Sequence, residues 1–159
     1  MAMSGDGGTG TGPGRIVVGV DGSPSSARAL RWAAAQARKT GAEVHAVTAW
    51  MPPTSYAWGP GLPDDIHWSE DCATGLEHTI KEALDDEDAA AVHRHVVQGH
   101  PAQALIDQAA DADLLVVGCR GHGGFTGMLL GSVSQHVIAH ASCPVLVVHE
   151  EGSEKGAAT

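Results

Sequence analysis

Residues 113–137 read DLLVVGCRGHGGFTGMLLGSVSQHV, and this stretch decides the fold. It opens with an apolar run that ends at Gly118, continues through a glycine-rich segment, and after Gly131 takes on the composition of a helix. A short, continuous apolar run is typical of a strand that is buried on both faces of a parallel sheet. The stretch therefore predicts a strand–loop–helix unit of an α/β domain.

Similar units lie on either side of this stretch. The runs RIVVGV at 15–20, EVHAVTA at 43–49 and PVLVV at 144–148 are strand candidates, and residues 92–97 alternate like a half-buried strand. Helices are expected over 25–39, 66–90 and 132–141 and after Pro101, with Ser23 and Gly41 as the caps of the first. This alternation predicts a single doubly wound α/β domain with helices on both faces of a parallel sheet.

Length and composition limit the domain count and the class of partner. Residues 1–14 and 150–159 are rich in small residues and are expected to be flexible tails, which leaves one domain over 15–149. The net charge is −10, without a basic run, which argues against nucleic-acid binding. The sequence has no signal peptide and no apolar run long enough to span a membrane. Its three cysteines lack a CxxC motif, so a cytoplasmic protein is expected.

Phosphate binding is the chemistry that the glycine-rich segment favours. Ser132 and Gln135 have the spacing of a capping box, and the free N–H groups of a helix start attract anions. The hydroxyls of Ser132 and Ser134 could add donors, while Arg120 and His122 could either contact phosphate or be solvated. The segment has no GxxxxGK[ST] motif, and no lysine lies near it, so hydrolysis of the P-loop type is poorly supported.

The spacing Gly118-x2-Gly121-x9-Gly131-Ser132 resembles the nucleotide-binding signature of the universal stress protein family, in its ATP-binding branch. Other parts of the chain agree with this resemblance in the right order. They are IVVGVDGS at 16–23, VQGHPA at 97–102, LLGSVSQHV at 129–137 and CPVLVV at 143–148. Cys119 stands where serine is frequent in the family, and this difference leaves the glycine spacing intact.

The resemblance implies a five-stranded parallel sheet in the order 3-2-1-4-5 that binds ATP or another adenine nucleotide, with any Mg²⁺ carried by the nucleotide. Val20 and Asp21 would lie beside the ribose and adenine, and Ala49 would line the adenine pocket. Two glycines would approach the ribose and α-phosphate, and the start of the last helix would hold the phosphates. Together with Arg120, the assigned residues are Val20, Asp21, Ala49, Gly118, Gly121, Gly131, Ser132, Val133 and Ser134.

Four functions remain open at this point. The first is an ATP-binding regulatory protein of the stress response without fast catalysis, because the sequence lacks an evident general base, catalytic lysine or metal cage. The second is a slow ATPase or phosphotransferase in which Asp21 or His122 would position water. The third is a cyclic AMP binder, and the fourth is a dimeric scaffold without nucleotide function. No catalytic residue is assigned.

Two further features carry expectations. His93 and His95 share a strand face, but no third ligand is identifiable, so a solvated face is favoured over a metal site. The last strand, which begins at Pro144 and ends at Val148, would form an apolar sheet edge that pairing with a second copy would cover. Homodimers of this kind are common in the family that the chain resembles, so a homodimer through this strand is expected.

Overall fold

Five parallel strands form one sheet within the described residues. A computed structural model describes residues 14–51, 68–119 and 130–149 of the chain. The strands are β1 (Arg15–Gly19), β2 (Glu43–Trp50), β3 (His93–Gln98), β4 (Leu114–Gly118) and β5 (Val145–Val148). Their order is β3-β2-β1-β4-β5, and every neighbouring pair is parallel. The predicted sheet order is confirmed.

Helices cover both faces of this sheet. They are α1 (Pro24–Thr40), α2 (Trp68–Ala83), α3 (Asp86–Ala91), α4 (Pro101–Gln108) and α5 (Ser132–His140). Neighbouring residues of a strand point to opposite faces. Ile16 and Val18 of β1 therefore pack with α1 and α2, whereas Val17 between them packs with α4 and α5. These three side chains are almost fully buried, as expected for the central strand of a doubly wound domain.

The two ends of α1 match the sequence prediction. Ser23 is the N-cap, and its side chain accepts a hydrogen bond from the Ser26 backbone N–H at 3.2 Å. Pro24 occupies the first helical position, where its missing N–H costs nothing. At the other end Gly41 adopts φ 80°, the left-handed conformation that favours glycine in a C-cap.

The single helix predicted over 66–90 is wrong in its second half. The structure has two helices there, because Asp85 adopts an extended conformation and caps α3 by accepting a hydrogen bond from the Asp88 N–H. The acidic run is unfavourable at a helix C-terminus, but it is favourable at the N-terminus where it actually lies. Arg38 of α1 donates to Asp85 and Asp88 and ties the new helix start to the domain.

Gly14 lies at the N-terminal margin of the domain. The Gly14 carbonyl accepts a hydrogen bond from the Glu43 N–H at 2.8 Å, so Gly14 belongs to the sheet margin and not to the predicted tail. The expected tails otherwise lie outside the described residues.

Cys72, Cys119 and Cys143 all carry free thiols. None of the helices in the described ranges has the length and apolar character needed to cross a membrane.

Candidate functional site

The strand order reverses between β1 and β4, and this reversal creates a crevice at their carboxyl ends. After β1 the chain builds β2 and β3 on one side, and it then crosses over to place β4 on the other side. Val18 of β1 lies opposite Val116 of β4, so the segments that follow Gly19 and Gly118 leave the sheet side by side. In open α/β sheets such a crevice is the usual ligand site.

The turn after β1 brings Val20 and Asp21 to this crevice. Val20 is buried and continues the sheet by donating its N–H to the Val47 carbonyl at 2.9 Å. Asp21 is exposed, and its Oδ1 accepts a hydrogen bond from the Ser23 N–H at 2.9 Å. The carboxylate therefore helps to build the turn into α1. Gly22 completes that turn at φ 84°.

Ala49 lies near the end of β2, on the other side of the β1 terminus. It is half-buried and lies opposite Val97 of β3. Because Val20 bonds to Val47, Ala49 extends two residues further toward the carboxyl edge than that contact. A small side chain at this position leaves room beside the turn after β1.

Gly118 ends β4 against the first turn of α1. A Cβ at this position would overlap Ser25 Oγ and would lie 2.9 Å from the Ser25 backbone carbon. Ser25 is fully buried, so the space that glycine leaves is filled by α1. Packing against Ser25 therefore explains the requirement for glycine at position 118. The sequence alone does not predict this contact. Cys119 follows as a buried residue, in keeping with a small side chain packed after a strand.

The chain leaves the sheet at Cys119 and returns at Gly131. The Gly131 N–H donates to the Cys119 carbonyl at 2.7 Å, so the base of the glycine-rich segment is closed by a backbone hydrogen bond. The Cys119 N–H in turn donates to the Val148 carbonyl at the end of β5. These two bonds hold the start of α5 at the carboxyl edge of the sheet. Residues 120–129, which include Arg120, Gly121 and His122, lie outside the described residues.

The start of α5 differs from the predicted capping box. Gly131, and not Ser132, is the N-cap, with φ −75° and ψ 168° and no side-chain cap. Gln135 does not fold back onto the cap as a capping box requires, because its side chain donates to the Leu130 carbonyl. The first intrahelical bond runs from the Gln135 N–H to the Gly131 carbonyl. The N–H groups of residues 132–134 therefore precede the helical ladder and form its anion-attracting end.

The three residues of this first turn have different surroundings. Ser132 is exposed and Val133 is half-buried, whereas Ser134 is buried. The Ser134 hydroxyl donates to the Gly118 carbonyl at 2.6 Å. The hydroxyl proton therefore joins α5 to β4. Ser134 can contribute its backbone N–H, and not its hydroxyl proton, to an anion at the start of α5.

A second polar cluster lies at the opposite, N-terminal edge of the sheet. His45 of β2 stacks on His93 of β3 with ring centroids 4.4 Å apart, and its Nδ1 lies 2.9 Å from His95 Nε2. Glu43 Oε1 lies 3.2 Å from His45 Nε2 and 3.8 Å from His93 Nε2. Glu43 and His45 therefore lie beside His93 and His95, while the preference for a solvated face over a metal site stays a prediction. The β2–β3 register pairs His45 with His93 and so places residues of β2 beside the histidines of β3. The sequence of β3 alone does not predict these neighbours.

Comparison with known proteins agrees with the fold. A sequence profile described as the universal stress protein family matches residues 13–149. The chain belongs to this family. The match covers all three described ranges, and it includes the complete glycine-rich segment.

Individual members of the universal stress protein family show how much is shared. The chain is 39% identical over 150 residues to the universal stress protein Rv2623 of Mycobacterium tuberculosis (strain ATCC 25618 / H37Rv). That match covers 87% of this chain and 48% of the relative. The chain thus spans about half the length of the curated relatives it matches.

Two solved structures of universal stress proteins contain adenine nucleotides. One is a crystal structure of a universal stress protein in complex with cAMP, 32% identical, with a TM-score of 0.58. The match covers 87% of this chain and 98% of that one. The other is the universal stress protein from Archaeoglobus fulgidus in complex with dAMP, 27% identical with a TM-score of 0.58. It covers 85% of this chain and 97% of that one.

Proposed function

We propose that this universal stress protein is an ATP-binding regulatory protein of the stress response, with the nucleotide at the carboxyl-edge crevice. The observation that carries the proposal is the start of α5. Its first N–H groups precede the helical ladder and are held beside Gly118 by the Ser134 hydroxyl. A helix start fixed at the switch point of the sheet suits a phosphate without any cationic side chain.

The remaining crevice residues fit the other parts of a nucleotide. Half-buried Ala49 leaves room for a base beside the backbone of Val20, and exposed Asp21 offers carboxylate oxygen to ribose hydroxyls. Arg120 and Gly121, on the glycine-rich segment, remain predictions as phosphate and ribose contacts. A Mg²⁺ ion would come with the nucleotide. We propose regulation and not rapid turnover, because the described crevice residues offer backbone donors, small side chains and one carboxylate.

Cyclic AMP is the second candidate ligand, because the relative in complex with cAMP is 32% identical to this chain. ATP and cAMP both present a phosphate and an adenosine to the crevice, but they differ in charge. The triphosphate has more negative charge for the N–H groups of residues 132–134 to stabilise. We therefore expect ATP to bind more tightly than cAMP.

The proposal predicts a selective rise in thermal stability with adenine nucleotides. A ligand at about 100 times its Kd adds about 2.7 kcal/mol to the free energy of unfolding. We expect ATP and ADP to raise the melting temperature of the nucleotide-free protein, cAMP to do so less, and inorganic triphosphate to have little effect. Differential scanning calorimetry with and without MgCl₂ measures this order. Equal shifts for triphosphate and ATP would contradict an adenosine-binding crevice, and a larger shift for cAMP would favour the second candidate.

We also propose that two copies pair through β5, the strand that begins after Pro144 and ends at Val148. Within the described sheet β5 pairs with β4 alone, and its four residues are only partly buried. The carbonyls of Pro144 and Val148 accept bonds from β4, so the alternating residues Val145 and Val147 direct their backbone groups to the open edge. A second β5 would satisfy these groups about a two-fold axis.

This dimer is tested by a proline substitution at the open edge. Val147→Pro removes an outward N–H and no bond to β4, so we expect a folded monomer by analytical ultracentrifugation and circular dichroism. Val147→Thr keeps the N–H and the branched shape, and it should remain dimeric. A monomeric wild type, or a dimeric proline variant, would contradict pairing through β5.

A further inference from the structure

The edge of the sheet opposite the crevice carries a set of side chains that the nucleotide proposal does not use. Glu43, His45 and His93 each offer one ligand atom, and these atoms all lie within 4.8 Å of one another. Glu43 and His93 are the first residues of β2 and β3, and His45 is the third residue of β2. All three lie on the face of the sheet that also carries Val47. Ala49 lies four residues further along β2 than His45, about 13 Å away at a strand's rise per residue. The cluster is therefore separate from the crevice.

The separations within the cluster are those of donors around one metal ion. Two donors at about 2.0–2.1 Å from a tetrahedral ion lie about 3.4 Å apart. The distances from Glu43 Oε1 to His45 Nε2 and to His93 Nε2, 3.2 and 3.8 Å, lie on either side of that value. The His45 and His93 rings are stacked with an interplanar angle of 11°, so half-exposed His93 must rotate out of the stack to direct its lone pair to the same ion.

His95 gives the cluster a second property of metal sites. Its Nε2 lies 2.9 Å from His45 Nδ1, so it can accept the Nδ1 proton and leave the lone pair of His45 Nε2 directed toward Glu43, 3.2 Å away. Histidines that bind metals nearly always donate their other ring N–H to such an acceptor, which fixes the tautomer and the ring orientation. His95 is thus a positioning residue for His45.

The charge around the cluster is set by Arg15, which lies near His45, and by Glu43. Arg15 opposes any cation, and Glu43 offsets it with a negative charge 3.2 Å from His45. Two neutral nitrogens and one carboxylate oxygen form a donor set typical of zinc, with a fourth position left for water or a partner's ligand.

We infer that Glu43, His45 and His93 form a binding site for a zinc-class divalent cation at the N-terminal edge of the sheet, with His95 positioning His45. Glu43 and His93 are half-exposed, so an ion can enter from solvent without opening the core. This site is independent of the proposed nucleotide function, because it uses no crevice residue.

The test is a titration of the untagged, chelator-treated and reduced full-length protein with Zn²⁺ by isothermal titration calorimetry, without nucleotide. We expect one equivalent to bind. Glu43→Gln and His93→Gln change exposed side chains and should fold, and each should weaken binding by more than about 100-fold, since even an outer partner is worth about 10–100-fold. Co²⁺ in place of Zn²⁺ should give a spectrum without the thiolate charge-transfer band, which excludes the three cysteines as ligands.

A matched control is available on α2. His78 Nε2 lies 3.2 Å from Glu82 Oε2, an exposed histidine–carboxylate pair one helical turn apart. His78→Gln should leave the Zn²⁺ titration unchanged. For the positioning role, His95→Ala should weaken binding by about 10–100-fold, and His95→Gln, whose amide oxygen can still accept the His45 proton, should restore most of it. No binding by the wild type, or equal binding by Glu43→Gln, His93→Gln and the wild type, would overturn the inference.

Discussion

Gly118→Ala is expected to lower the free energy of unfolding by about 2–3 kcal/mol, the upper part of the range for overpacked cores. The new methyl group would overlap Ser25 Oγ and would lie 2.8 Å from Ser25 Cβ and 2.9 Å from the Ser25 backbone carbon. Rotation of the Ser25 side chain can relieve the first contact only. The other two require α1 and β4 to move apart, and residues of both elements belong to the buried core.

Urea denaturation of the nucleotide-free protein measures this effect, and two further variants make it specific. Gly75→Ala lies inside α2, where a Cβ meets no atom within 4 Å, so it should raise stability by about 0.5–1 kcal/mol. Ser25→Gly removes the Cβ contact, and the double variant with Gly118→Ala should recover part of the loss. If Gly118→Ala were as stable as the wild type, the close packing of β4 on α1 would be wrong.

Gly131→Asp is expected to have the opposite pattern, a stable fold with nucleotide affinity reduced by about 100-fold or more. Gly131 is an N-cap in an extended conformation that any residue adopts, and aspartate is among the best N-cap residues. Its carboxylate would accept hydrogen bonds from the N–H groups proposed for phosphate. It would also repel the phosphate, since two unit charges 4 Å apart interact by about 4 kcal/mol at an effective dielectric constant of about 20.

Gly131→Asn is the matched control, because asparagine has the same shape and caps equally well without the charge. We expect Asn to lose less affinity than Asp and both to unfold at or slightly above the wild-type urea midpoint. Calorimetric titration with ATP gives the affinities. If the Asp variant bound ATP as the wild type does, the phosphates would not lie at the start of α5.

The sequence predicts the strands better than the details of the helix ends. Continuous apolar runs mark β1 and β4, because a strand buried on both faces needs an apolar residue at every position. A similar run marks β5 at the sheet edge, where the residues are partly buried. The boundary within 66–90 is missed because Asp85 can cap a new helix as readily as it can disfavour the end of an old one. The predicted capping box at Ser132 is wrong because Gly131 is the N-cap and the Gln135 side chain donates to the Leu130 carbonyl.

Within the sites, the sequence identifies residue types and the fold supplies their neighbours. The glycine spacing points to the carboxyl edge, but the packing of Gly118 on Ser25 depends on how α1 crosses β4. The histidines of β3 gain Glu43 and His45 only through the register between β2 and β3, which a single strand does not contain. A pairing of the first residues of adjacent strands, once the strand order is known, would have found this cluster.

Adenine-nucleotide binding is tested most directly by identifying the small molecules that the purified protein retains. The protein is isolated without added nucleotide and denatured, the released small molecules are identified by chromatography, and the stripped protein is titrated with ATP in a calorimeter. We predict an adenine nucleotide in the released fraction, or rebinding of ATP at one site per chain that is weakened in Gly131→Asp. Release of no nucleotide, together with no heat of binding for ATP, ADP or cAMP, would contradict it.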